Sequence, residues 1–304
     1  MSGSRIGRVG VLAGGPSSER EISLRSGKAV HDALLKRGVD VFFMDVRDNI
    51  YDIIKSEKMD VAFLALHGKF GEDGTVQRIL DSAGIKYTGS GSEASRLALD
   101  KIASKEIFVK NNIPTPGYVI VEKNSFRIAD LASLKMPVVV KPQLEGSSIG
   151  LSVVKDGSGL ERAIEEAFKY GPNVLVEKYI SGRELTVGIL NDMPLPVIEI
   201  VPKEKVYDFK AKYSDPDTQY LVPAPVNEGA KALAQTLGLL SHKVLGCRSF
   251  SRTDMIMDEF GNMFVLEVNT IPGMTERSLL PKAAAAAGVN FGELCVKLIE
   301  DAIK

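Results

Sequence analysis

The sequence predicts a mixed α/β protein of more than one domain, on three observations. Near the start, β-branched apolar runs alternate with segments of helical period, the pattern of a parallel sheet with crossover helices. A middle segment carries the apolar runs Val138-Val139-Val140 and Val174-Leu175-Val176, separated by a Gly/Ser loop and a single helical stretch. The last part has long strands of antiparallel character, a hairpin across residues 252–269 and two terminal helices. A chain of 304 residues is also too long for one comfortable core, so two or three domains are expected.

Residues 9–13 read as a buried strand that opens at Gly14-Gly15, and a helical pattern through Val30, Ala33 and Leu34 stops at Gly38. Strands at 39–45 and 61–66 and a helix after Gly74 complete the parallel unit. Ligand loops in such sheets lie at the carboxyl ends of strands, where residues 14–19 and His67 fall. A helix over 101–111 leads through Pro114-Thr115-Pro116 into the middle segment, whose helix is expected near 159–169. Beyond residue 182 come the long strands, a polar stretch at 203–220 and a helix over 230–245. After the hairpin, an alanine run at 283–287 marks a helix packed closely on its neighbour.

The hairpin carries the clearest chemistry. Side chains two apart on a strand share a face. Arg252 and Asp254 therefore point one way on its first strand, and Glu267 and Asn269 share a face on its second, with Leu266 and Val268 turned away. If the polar faces coincide, Asp254, Glu267 and Asn269 offer three oxygen ligands. That set suits Mg²⁺ or Mn²⁺ carrying phosphates better than zinc, which calls for His or Cys. Taken alone, the hairpin fits an exposed turn with solvated charges as well.

Two further stretches weigh against that bland alternative. Val138-Val139-Val140-Lys141-Pro142 ends a buried strand in a lysine, and Glu145-Gly146-Ser147-Ser148-Ile149-Gly150 follows as a loop able to close over phosphates. No Walker loop and no dinucleotide-binding glycine pattern is present. Residues 174–180 read as a strand with exposed backbone groups beside Glu177 and Lys178, fit to read an adenine edge, with Glu184 placed for ribose hydroxyls. Singly, each is an ordinary turn or strand end; together they supply the groups ATP needs.

Composition narrows the class. A net charge of -1 gives no electrostatic reason to expect nucleic acid or an anionic membrane as partner. No apolar stretch reaches the length of a signal core or membrane span, so a cytoplasmic protein is expected. Cys247 and Cys295 are far apart without a C-x-x-C, which fits two reduced thiols. His31 and His242 sit in helical segments as structural or exposed residues, while His67 follows an apolar strand in a glycine-rich loop.

Motifs along nearly the whole chain resemble the D-alanine–D-alanine ligase family of the ATP-grasp superfamily. They are Gly14-Gly15-Pro16-Ser17-Ser18-Glu19-Arg20-Glu21-Ile22-Ser23, Leu66-His67-Gly68-Lys69-Phe70-Gly71-Glu72-Asp73-Gly74, Tyr87-Thr88-Gly89-Ser90-Gly91, Lys141 with the loop 145–150, Ala211-Lys212-Tyr213, Arg252 to Asp254, and Glu267 through Gly273 to Met274 and Thr275. The resemblance implies a three-domain ATP-grasp fold with an N-terminal Rossmann-like α/β domain. It divides the chain into 1–94 for substrate binding, 95–181 with the phosphate loop, and 182–304 with the metal site and a substrate lid.

The same resemblance implies ATP-dependent joining of two D-alanine molecules through a D-alanyl phosphate for peptidoglycan synthesis, by a cytoplasmic homodimer. Lys101, Lys141, Glu145, Ser147, Ser148, Glu177, Lys178, Ile180 and Glu184 would bind ATP, and Asp254, Glu267 and Asn269 two Mg²⁺ or Mn²⁺ ions. Arg252 and the Gly273 N–H would hold the oxyanion of the tetrahedral intermediate. Glu19 would pair with the first D-alanine ammonium and form a triad with Ser147 and Tyr213. His67 and Arg252 would also bind substrate, and Lys212 and Ser278, with the N–H groups of the helix starting near Leu279, would hold the carboxylate of the second D-alanine. D-serine or D-lactate as acceptor, and a non-catalytic nucleotide-binding homologue, are the alternatives. Tyr213 speaks against D-lactate, because ester-forming members of the family tend to carry Phe there.

Overall fold

Strand β1 (Val9–Gly14) lies inside a four-stranded parallel sheet ordered β2 (Val41–Val46), β1, β3 (Val61–Leu64), β4 (Lys86–Tyr87). The structure is a computed structural model that describes residues 6–47, 50–125, 127, 131, 134–202 and 218–304. The expected residues Lys212 and Tyr213, and most of the polar stretch 203–220, lie outside the described residues. Alternate residues of β1 and β3 enter different cores. Val9, Val11, Ala13, Val61 and Phe63 pack with Val30 and Leu34 of α1 (Arg20–Lys36), whereas Leu12, Ala62 and Leu64 pack with Val76 and Leu80 of α3 (Thr75–Ala83). Both faces are thus covered, which is why these strands are continuously apolar.

Element ends differ from expectation for local reasons. Helix α1 ends in a Schellman turn: Gly38 has φ +73°, its N–H bonds the Leu35 carbonyl, and the Val39 N–H bonds that of Leu34. Val39 therefore belongs to the helix exit, and β2 begins at Val41 rather than at 39. Strand β3 stops at Leu64 rather than at 66, and the Ala65 carbonyl accepts from Ser23 Oγ at 2.7 Å. Short helices α2 (Ile50–Ser56) and α4 (Ser92–Leu99) were not foreseen; α4 runs into α5 (Lys101–Lys110).

Two antiparallel sheets follow. One is ordered β5 (Tyr118–Glu122), β8 (Asn173–Lys178), β6 (Val138–Pro142), β7 (Ser152–Val154), and α6 (Leu160–Ala167) backs it through Val138, Val140, Val174 and Val176. The other is ordered β12 (Gln219–Leu221), β11 (Ile198–Val201), β9 (Gly182–Leu190), β13 (Phe250–Asp258), β14 (Met263–Asn269), with β10 (Met193–Pro194) on β9. Helix α7 (Glu228–Val244) backs this sheet through Ala234 and Leu237 against Val187, Met255 and Val265. Helices α8 (Leu279–Ala286) and α9 (Phe291–Ala302) return to the first core, where Leu280 and Ile299 join Val30 and Phe63. No described helix is long and apolar enough to cross a membrane.

Candidate active site

The unbacked faces of the two antiparallel sheets look at each other across a cavity. Val139 and Lys141 of β6, Glu177 of β8, Glu184 of β9, Asp254 and Ile256 of β13 and Glu267 of β14 line it, as do Lys101, Glu145, Ser148, Lys178 and Ile180. Strand alternation dictates this: Val138 and Val140 enter the core, so Val139 and Lys141 face outward. The cavity has a volume of about 150 Å³. A wider cleft of about 1090 Å³ adjoins it, lined by Glu19, His67, Ser147, Arg252, Asn269, Gly273, Ser278 and Leu279. Lys101, Glu145, Gly146 and Glu267 belong to both walls. Every expected site residue among those described therefore lies on one cavity or the other.

Lys101 is set by a helix cap. Asp100 accepts from the N–H groups of Ile102 and Ala103, and Gln143 Nε2 donates to both its oxygens at 3.0 and 2.9 Å. The cap ties α5 to the end of β6, and Lys101 Nζ donates to the Glu145 carbonyl at the base of the Gly/Ser loop. Ser147 and Ser148 in that loop have φ of +48° and +60°, a strained turn rather than a plain flexible link.

Glu177 departs from expectation. Strand β8 is internal, pairing at Glu177 with Tyr118 on one side and Val139 on the other, so no open edge exists there. Its carboxylate is 1% exposed and bridges Lys105 Nζ at 2.7 Å and Lys141 Nζ at 2.6 Å. Burial works to raise its pKa, but the two ammonium charges prevail and hold it below the usual carboxylate value. Lys105 was missed by sequence reasoning, although it lies one helical turn after Lys101 on α5.

On the hairpin the polar faces coincide. Asp254 lies opposite Glu267 and Arg252 opposite Asn269. Arg252 does not stand open as an oxyanion donor: Nε donates to Asp254 Oδ1 at 2.8 Å and Nη2 to Oδ2 at 2.6 Å. Thr186 Oγ1 also donates to Asp254 Oδ1, at 2.6 Å, and Asn269 Oδ1 accepts from the Ile271 N–H at 2.9 Å. Leu266 departs as well. The register shifts between Asp254 and Met255, where Glu267 is followed in the ladder by Val265, and the extra residue Leu266 joins the cavity wall instead of turning away with Val268.

In the wider cleft, Ser147 Oγ donates to Glu19 Oε1, which joins two legs of the expected triad. Gly68, at φ +66°, brings its backbone so near that a Cβ there would lie 2.8 Å from Glu19 Oε2. His67 is buried, with Nε2 3.2 Å from Ser26 Oγ and Nδ1 3.9 Å from Glu72 Oε1; Ser26 and Glu72 are further residues that sequence reasoning missed. Ser278 stands at the N-cap of α8, its Oγ accepting from the Thr275 N–H at 3.1 Å, close to Gly273.

Family models described as "D-ala D-ala ligase C-terminus" and "D-ala D-ala ligase N-terminus" match residues 107–300 and 47–90. A D-alanine–D-alanine ligase of Citrifermentans bemidjiense is 46% identical over 97% of this chain and 96% of its own length. That of Trichlorobacter lovleyi is 48% identical over 94% and 92%. The crystal structure of the Bacillus anthracis ligase complexed with ATP superposes with a TM-score of 0.85 at 35% identity, covering 98% of this chain and 97% of that one. Another structure of the Bacillus anthracis enzyme gives 0.89 at 38%, covering 97% of each.

Proposed function

The chain belongs to the D-alanine–D-alanine ligase family, and from that premise we infer how its two cavities divide the reaction. It is an ATP-dependent ligase that joins two D-alanine molecules through D-alanyl phosphate, releases ADP and phosphate, and supplies peptidoglycan synthesis. The shared wall of the two cavities carries the division of labour. ATP occupies the cavity between the antiparallel sheets, the amino acids occupy the wider cleft, and the phosphoryl group passes between them beside Lys101, Glu145, Gly146 and Glu267.

A carboxylate is a poor electrophile, so an oxygen of the first D-alanine attacks the γ-phosphorus, the bond to the β-bridging oxygen breaks, and ADP leaves. This step needs alignment and charge neutralisation rather than covalent help from the protein. Lys101 and Lys141 supply positive charge to the phosphates, and the loop 145–150 covers them. Ile180 and the Lys178 backbone lie at the base, with Glu184 at the ribose. Asp254, Glu267 and Asn269 form an oxygen-only donor set on one face, which fits Mg²⁺ or Mn²⁺. Such ions would neutralise the charge on the β- and γ-phosphates.

Glu19, held by Ser147, receives the ammonium of the first D-alanine. The amine of the second, free of its extra proton, then attacks the acyl carbon, the oxyanion forms beside Gly273 N–H and Arg252, and its collapse expels phosphate, which takes up the proton the new amide nitrogen gives up. Arg252 is held in place by Asp254 through Nε and Nη2. Ser278, the N–H groups that open α8, and Lys212 hold the second carboxylate, while Tyr213 completes the triad and favours an amine over a hydroxyl acceptor. Family resemblance also supports a homodimer and a cytoplasmic location. Phosphate release from ATP tests the reading, with D-alanine compared against L-alanine, D-serine and D-lactate. D-alanine alone should give rapid release, and equal release with D-lactate would reject the assigned acceptor.

A further inference from the structure

Behind the nucleotide cavity, two ammonium groups share one carboxylate. Lys141 and Glu177 line the cavity, but Lys105 lines neither cavity and is 1% exposed. It is fixed from three directions. Nζ lies 2.7 Å from Glu177 Oε1, donates to Thr115 Oγ1 at 2.5 Å, and stands 5.6 Å from the Tyr118 ring centre. Thr115 Oγ1 in turn donates to the Val265 carbonyl at 2.8 Å, on the strand that bears Glu267. Filling this space with an apolar side chain would avoid burying a charge, so packing alone does not call for a lysine.

The charges give it a task. Lys141 is the only one of the two lysines that reaches the cavity, and it is also the partner of Glu177 Oε2 at 2.6 Å. If Lys141 were the sole partner, turning its ammonium to a phosphate oxygen would strand a buried carboxylate, which is far costlier than an exposed one. We propose that Lys105 is a positioning residue for nucleotide binding, holding Glu177 through Oε1 so that Lys141 is released to the phosphate without leaving that carboxylate unpaired. The proposal rests on the reading of this cavity as the nucleotide site.

Titration of a fluorescent ATP analogue tests it on the wild type, Lys105→Met, Lys105→Gln and the double variant Lys105→Met/Glu177→Gln, with thermal unfolding followed in parallel. Lys105→Met should weaken nucleotide binding about tenfold or more, because the charge is lost, while the KM for D-alanine stays within about twofold. Lys105→Gln, which keeps a hydrogen-bonding side chain without the charge, should weaken it similarly and serves if the methionine variant fails to fold. The double variant should regain most of the affinity of the wild type, since no buried anion is left to strand. Unchanged affinity in the single variants, or a double variant binding no better than Lys105→Met, would overturn the proposal and leave Lys105 a structural tie. The wild-type arm judges the cavity assignment separately: failure to bind the analogue rejects the nucleotide site itself, whereas the ratio of variant to wild type judges Lys105.

Discussion

Arg252 grips Asp254 with one edge of its guanidinium, Nε and Nη2 at 2.8 and 2.6 Å, from two residues away on the same strand. The carboxylate expected to hold a divalent ion is thus already neutralised by the cation expected to hold the oxyanion. Both expected roles therefore draw on one ion pair.

Opposite effects on binding and turnover follow for Arg252→Ala. Freed of its partner, Asp254 should bind Mn²⁺ more tightly in the absence of nucleotide, as electron paramagnetic resonance would read. Turnover should fall on the order of 10² to 10³, the usual cost of one oxyanion donor. Weaker Mn²⁺ binding in the variant would show that Arg252 does not compete for Asp254.

Glu267 stands opposite Asp254 and on both cavity walls. Glu267→Gln keeps the volume and removes a charge, so steady-state turnover should fall by at least about tenfold while the circular dichroism spectrum is unchanged. Retained turnover would remove Glu267 from the metal site.

Glu177 makes acid stability predictable in sign. Burial works to raise its pKa, but Lys141 and Lys105 hold it below the ordinary 4.5, so its ionised form is bound more strongly in the folded state. Its contribution is fully present above about pH 4.5 and is lost as pH falls through the lower folded value. Urea unfolding of wild type and Glu177→Gln should differ by a constant amount between about pH 7 and pH 5 and converge only as pH falls through the lowered folded value. A gap that widens on acidification contradicts the ion cluster.

Both thiols should be inert. Burial pushes Cys247 and Cys295 up to about 12, which leaves only about 10⁻⁴ as thiolate at pH 8. Ellman's reagent should label neither in the native protein, both in denaturant, and activity should survive treatment. Rapid labelling with loss of activity would show an accessible, functional cysteine.

What the sequence disclosed was chemistry carried by local pattern. Two-residue alternation put Arg252 with Asp254 and Glu267 with Asn269, and the structure pairs them as neighbours across β13 and β14. Position marked the loops 14–19 and 145–150 and the strand-end Lys141, whereas the roles of Glu19 and Ser147 came with the family resemblance. Errors arose where a non-local fact decides. Leu266 was placed on the wrong face because a bulge adds a residue that alternation cannot register. Exposed backbone groups beside Glu177 were expected because only the strand order β5, β8, β6 shows that the strand is flanked on both sides. Glu72 and Ser26 gained meaning only when folding brought them to His67. Helices as short as α2 and strands as short as β4 hold too few residues for a period to emerge.

The common wall between the two cavities has a consequence for inhibition. A single molecule joining a nucleotide mimic to an amino-acid mimic could pass Glu267 and Lys101 without leaving the protein. Once one end is seated, the other faces its own chamber at an effective concentration in the millimolar range, set by the linker rather than by the solution. Affinity would then depend sharply on linker length, peaking where the span matches this wall and vanishing when the tether is too short. The position of that peak would measure, in solution, the distance over which the phosphoryl group is handed across.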